Sequence, residues 1–146
     1  MKIIHTPYYD FHNVLIRPKR TTITSRSQVD LERNMSFKYS NQSWKGVPII
    51  SANMDTTGTF NVYDILKKHK MITCLNKFYS IDDFKERKQN NKELDPNYFM
   101  ISTGINESNF GNLCELVTFT NAKWICVDVA NGYMQQVVNY CYKVRQ

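Results

Sequence analysis

The chain has 146 residues, 42% of them hydrophobic and 22% charged, with a formal net charge of +6. That is enough apolar material for one globular domain with a core, and it excludes an intrinsically disordered chain. The basic residues are spread along the sequence and interleaved with acids, which argues against a nucleic-acid surface and suits an anionic small molecule.

The longest apolar runs, such as Val47-Pro48-Ile49-Ile50 and Trp124-Ile125-Cys126-Val127, fall far short of the ~20 residues that a membrane span needs. Met1-Lys2-Ile3-Ile4 is not followed by the apolar stretch of a secretory leader, so a cytoplasmic location is expected. Cys74, Cys114, Cys126 and Cys141 form no C-x-x-C pair and lie within apolar segments, which predicts four buried thiols rather than disulfides or a metal site.

Residues 1–46 form an N-terminal segment carrying Asp10-Phe11, Val14-Leu15-Ile16-Arg17-Pro18-Lys19-Arg20, Ser25-Arg26-Ser27 and Val29-Asp30-Leu31-Glu32-Arg33. It is too long and too mixed to be a simple leader. From residue 47 onward, short apolar runs rich in β-formers predict strands over 47–54, 71–77, 98–104 and 124–132. Segments of helical character follow each one, over 59–68, 81–89, 107–119 and 135–145.

Continuous apolar strands alternating with helices indicate parallel βαβ units, so the fold class is α/β. Length alone favours an open flavodoxin-like sheet, because a complete barrel typically needs ~250 residues and eight units. No strand is followed by G-x-G-x-x-G or G-x-x-x-x-G-K-[ST], which weakens the common nucleotide-binding open sheets. In either fold ligands sit at the carboxyl ends of the strands. Here those ends are polar: Asn53-Met54-Asp55-Thr56, Asn76-Lys77, Ser102-Thr103-Gly104 and Asp128-Val129-Ala130-Asn131-Gly132.

These motifs, together with Gly46-Val47-Pro48-Ile49-Ile50, Ala52-Asn53-Met54-Asp55-Thr56 and Asp128-Val129-Ala130-Asn131-Gly132-Tyr133, resemble the GMP reductase branch of the IMP dehydrogenase/GMP reductase family. The resemblance runs from about Asp10 to Arg145. It implies the N-terminal half of a TIM (β/α)8 barrel, about four βα units preceded by an N-terminal extension. The short link between the second helix and the third strand leaves no room for the paired regulatory modules that IMP dehydrogenases usually carry there. This favours the reductase branch over a dehydrogenase-type enzyme.

The implied reaction is reduction of GMP to IMP and ammonia by NADPH, with a cysteine on a glycine-rich loop as nucleophile. None of the four cysteines here sits in such a loop, so no catalytic residue is assigned. Carried over by motif, Ser25, Arg26, Lys77, Asp128, Val129 and Ala130 contact NADPH, and Asn53, Met54 and Asp55 lie near the purine. No metal ligands are implied. A guanidinium such as Arg26 suits phosphate oxygens. Taken alone, the same residues also read as a solvated arginine, a snorkelling lysine, a helix-capping aspartate and a core methionine. The family's usual histidines flanking the lysine are replaced by Asn76 and Phe78.

Half a barrel leaves two unpaired sheet edges and an uncovered inner face. The implied partners are therefore GMP or IMP together with a C-terminal barrel half or a homo-oligomer, the family being tetrameric, with no nucleic acid and no membrane. Two functional classes stay open: part of a GMP reductase, or a non-catalytic remnant or interaction module that associates with barrel halves or subunits.

Overall fold

The computed structural model describes residues 3–146. The chain divides into two compact units, Met1–Asp30 and Leu31–Gln146. In the first, every described side chain is exposed, so local hydrogen bonds set its form. Two single-turn 3-10 helices mark it: Phe11–Asn13, capped by Asp10, and Arg26–Gln28, capped by Ser25. In both, the third residue's side-chain amide oxygen accepts from the cap backbone N–H, which is a capping box in miniature.

The second unit opens with an antiparallel hairpin, β1 (Arg33–Ser36) and β2 (Ser43–Gly46), whose turn carries Asn41 at φ 52°. Left-handed backbone is tolerated better by asparagine than by most residues. The sequence reading counted these residues in an N-terminal segment ending at residue 46 and read no strands there, whereas the compact division falls after Asp30. The reason is packing. Trp44 is buried with its indole Nε1 donating to Asn97 O at 2.9 Å, Val47 N donates to Lys70 O, and Phe37 meets Trp124 edge-on at 5.0 Å.

A four-stranded parallel sheet follows, with its strands side by side in chain order: β3 (Ile50–Ser51), β4 (Ile72–Cys74), β5 (Phe99–Thr103) and β6 (Ile125–Val127). Helices α1 (Phe60–Leu66), α2 (Ile81–Gln89), α3 (Glu107–Thr120) and α4 (Gln135–Arg145) alternate with them. This is an α/β arrangement of four successive βα units, compatible with half of a TIM barrel.

Helix positions follow the sequence closely because their caps are local. Thr59 accepts from Val62 N to start α1, Ser80 and Asp83 form a capping box on α2, and Asn121 ends α3 in the left-handed region. The strands are shorter than expected, and β3 keeps only two residues. Hydrogen-bonded pairing, not apolar character, defines a strand, and the polar residues after each ladder turn away into loops.

The core lies between the sheet and the helices. Leu75, Phe99 and Ile101 point outward from the sheet against Tyr63, Phe84, Leu113 and Leu116. Burying such a side chain fully contributes about 1.5–3 kcal/mol. Tyr63 is buried without loss because its hydroxyl accepts from Asp95 N at 2.7 Å.

Of the four expected buried thiols, Cys74 is buried and Cys126 half-buried, but Cys114 and Cys141 are exposed. The latter two sit on the outer faces of α3 and α4, where the helical period carries them away from the core. Among the described residues, no helix is long and apolar enough to cross a membrane.

Candidate functional site

The loops after β3, β4, β5 and β6 gather at the carboxyl end of the sheet, because parallel strands in chain order deliver every such loop to the same side. Alternation along the strands gives that end a floor. With Phe99 and Ile101 facing the helices, Met100 and Ser102 face the other way, and strand register aligns Cys74, Ser102 and Cys126 on that second face.

Lys77 and Asp128 are brought together although 51 positions separate them in the sequence. The lysine Nζ stands 3.8 Å from Asp128 Oδ2, with side chains 49% and 41% exposed. That distance is long for a direct hydrogen bond and both groups remain hydrated, so the pair is worth ~1 kcal/mol at most. An ammonium held this loosely is available to an oxygen of an incoming ligand.

Asp128 does not cap the helix that follows. Met134 occupies the N-cap of α4, and the Asp128 backbone N–H continues the sheet ladder by donating to Thr103 O at 2.8 Å. Val129 is half-buried and Ala130 exposed, and the chain turns where Asn131 Oδ1 accepts from Tyr133 N. The turn needs no left-handed glycine: no described glycine has positive φ.

At the end of β4, Asn76 and Phe78 stand where the resemblance places flanking histidines, and only Asn76 has its side chain tied to the fold. Asn76 Nδ2 donates to Gly58 O and its Oδ1 accepts from Phe78 N, while Phe78 is exposed beneath the Lys77 ammonium at 5.9 Å. Asn53 is half-buried, and Met54 is 60% exposed, so Met54 is not packed as a core methionine. Asp55 is also exposed. Within the first unit, Ser25 Oγ accepts from Ser27 N at 3.3 Å as a local cap, and Arg26 is exposed.

Sequence reasoning missed three supports of this end. Gly58 lies so close to β4 that an added Cβ would stand 2.5 Å from Cys74 O and 2.9 Å from Asn76 N. Only glycine lets the loop after β3 dock there. Thr103 Oγ1 and the Tyr140 hydroxyl, 2.9 Å apart and buried, tie the end of β5 to α4. The row formed by Cys74, Ser102 and Cys126 was invisible because register decides it. A lone glycine after Asn53-Met54-Asp55 was the one signal available in advance.

The cavity beside these residues, lined by Lys77, Tyr79, Thr103, Gly104 and Asn109 among others, measures about 70 Å³. This is smaller than the ~300–1,000 Å³ of a ligand pocket, so this cavity by itself encloses no ligand of that size. Among the described residues no cluster of three or more His, Cys, Asp or Glu is placed to hold a metal ion.

Comparison with known proteins gives consistent relatives. The chain is 44% identical over 136 residues to the GMP reductase of Photobacterium profundum, covering 92% of this chain and 39% of that protein. It is 42% identical over 137 residues to the GMP reductase of Escherichia coli, and 40% identical to that of Yersinia pestis, covering 93% of this chain and 40% of each relative. The chain thus spans about two fifths of the length of the curated relatives it matches. No family model matches the chain.

Proposed function

We propose that this chain, a homologue of GMP reductases across 92% of its length, is the cofactor-bearing, N-terminal part of such an enzyme, half of a TIM barrel acting in the cytoplasm on purine nucleotides. The single observation that carries this reading is the Lys77–Asp128 pair, brought together at the carboxyl ends of the parallel strands. In that reading NADPH supplies the hydride that converts GMP to IMP and ammonia. Lys77, Asp128, Val129 and Ala130 receive its nicotinamide end. Asn53, Met54 and Asp55 lie near the purine, and Ser25 and Arg26 contact phosphate or ribose oxygens of the cofactor.

The fit rests on chemistry visible here. Lys77 keeps half its side chain in solvent and only a long ion pair, and Asp128 is free of any capping duty. Such groups orient a dinucleotide by charge and hydrogen bonding at little cost in fold stability. The nucleophile is not drawn from this chain's four cysteines, all of which lie on strands or helices rather than on a glycine-rich loop. The remaining barrel half supplies it, from a further segment or another chain, within an oligomer.

Titration calorimetry with NADPH tests the assignment. The expected result is binding that is lost when Lys77→Ala and Asp128→Ala are combined. Equal affinity in both proteins would contradict it. The short span relative to the relatives favours a second reading, a non-catalytic module that docks with barrel halves, in which no variant at these positions changes a nucleotide affinity.

A further inference from the structure

The amino end of the sheet holds a cavity that the reading above leaves unused. It lies where the link into β5 and the turn before β6 pass the last turns of α2 and α3, and it measures about 230 Å³. Its apolar lining is Phe84, Leu94 and Phe119, and its cations are Arg87, Lys88 and Lys92.

Arg87 is the unusual member. It is 8% exposed, its two terminal nitrogens both donate to the Asp64 carboxylate, and its guanidinium carbon stands 4.9 Å from the centre of the Phe60 ring. Its Nε is buried without a hydrogen-bond partner among the described residues. A buried N–H left unmet is costly, and most such groups in folded proteins find an acceptor. Because Arg87 lines the cavity, an acceptor seated there stands against a guanidinium with one donor still to give.

The lysines are held weakly. Lys88 Nζ stands 3.4 Å from Glu93 Oε1, with both side chains more than half exposed, and 5.6 Å from the centre of the Phe119 ring. Glu93 is the one carboxylate in the lining, set against three cations. With Asp64 offsetting Arg87 from α1, the balance at the cavity stays positive. Helix dipoles do not account for all of this charge. Cations beside a last turn offset its partial negative charge, a role that Arg87 and Lys88 fill for α2. Lys92 lies beyond that helix, and the last turn of α3 carries no basic residue.

We infer that this cavity is a binding site for a small aromatic carboxylate. Its volume, below the ~300–1,000 Å³ of a drug-sized pocket, suits a single ring with one acid group and is too small for a dinucleotide. The ring packs against Phe84, Leu94 and Phe119, and the carboxylate oxygens accept from the lysine ammoniums and the unmet Arg87 donor. The site stands at the opposite end of the strands from Lys77 and Asp128, so it is independent of the dinucleotide reading.

A fluorine NMR titration of the full chain with para-fluorobenzoate tests the site. Saturable binding is expected, with the neutral isostere para-fluorobenzamide roughly tenfold weaker, since only the carboxylate engages the cations by charge. Lys88→Glu combined with Lys92→Glu should lower the para-fluorobenzoate affinity by roughly tenfold or more. Both side chains are exposed, so this variant keeps its fold. Lys19→Glu combined with Lys38→Glu changes the net charge equally, outside the cavity lining, and should leave the affinity unchanged. An absence of saturable binding, equal affinity for the amide, or an affinity that the first pair leaves unmoved overturns the inference. An equal fall in both paired variants overturns it as well, by tracing the binding to overall charge.

Discussion

The two faces of the four-stranded sheet are built from the same strands yet carry opposite chemistry. The outward face is an apolar layer of Leu75, Phe99 and Ile101 closed by Tyr63, Phe84, Leu113 and Leu116. The other face holds Cys74, Ser102 and Cys126, leads up to Lys77 and Asp128, and leaves Ile50 51% exposed. Alternation at every second residue separates the two. Stability resides on the face covered by this chain's own helices. Candidate chemistry resides on the face those helices do not cover.

The sharpest way to break this comparison is to remove a residue from the covered face. Phe99→Ala empties a fully buried site and should cost about 3–5 kcal/mol in urea unfolding, leaving the chain partly unfolded at ambient temperature. Gly58→Ala should cost roughly 1–3 kcal/mol, since its Cβ meets backbone that cannot move aside. A cost within experimental error would show that the loop after β3 is free to shift.

Ser80→Ala should cost about 1 kcal/mol by removing the α2 cap. The Ser80 hydroxyl and backbone N–H hold the Asp83 carboxyl below its usual range. A depressed folded value means that this stabilisation is present above the unfolded aspartate value of ~3.9 and is lost as pH falls through the folded one. The Ser80→Ala penalty measured by thermal unfolding should therefore shrink in acid. At the smallest end, Lys77→Met and Asp128→Asn should change stability by less than about 1 kcal/mol while abolishing dinucleotide affinity.

How much of this was legible in advance divides along the same line. The helix boundaries 81–89 and 135–145 follow from local signals, a Ser80 cap for the first and composition for the second, and the structure reproduces both. The hairpin of β1 and β2 was not read, because β1 is exposed throughout, β2 has a single large apolar residue, and its place depends on Trp44 reaching Asn97. Asp128 could be singled out as a polar strand end, but its approach to Lys77 depends on β5 intervening in register. The exposure of Cys114 and Cys141 was misread because hydrophobic neighbours in sequence are not neighbours on a helix surface.

The most direct test of the central claim is reconstitution. This chain is mixed in equal proportion with the complementary C-terminal portion of a GMP reductase, and loss of reduced-nicotinamide absorbance is followed with ammonia release. The account predicts GMP-dependent turnover in the mixture, none from either part alone, and none when this chain carries Asp128→Ala. A folded one-to-one complex that binds GMP yet oxidises no NADPH would contradict it.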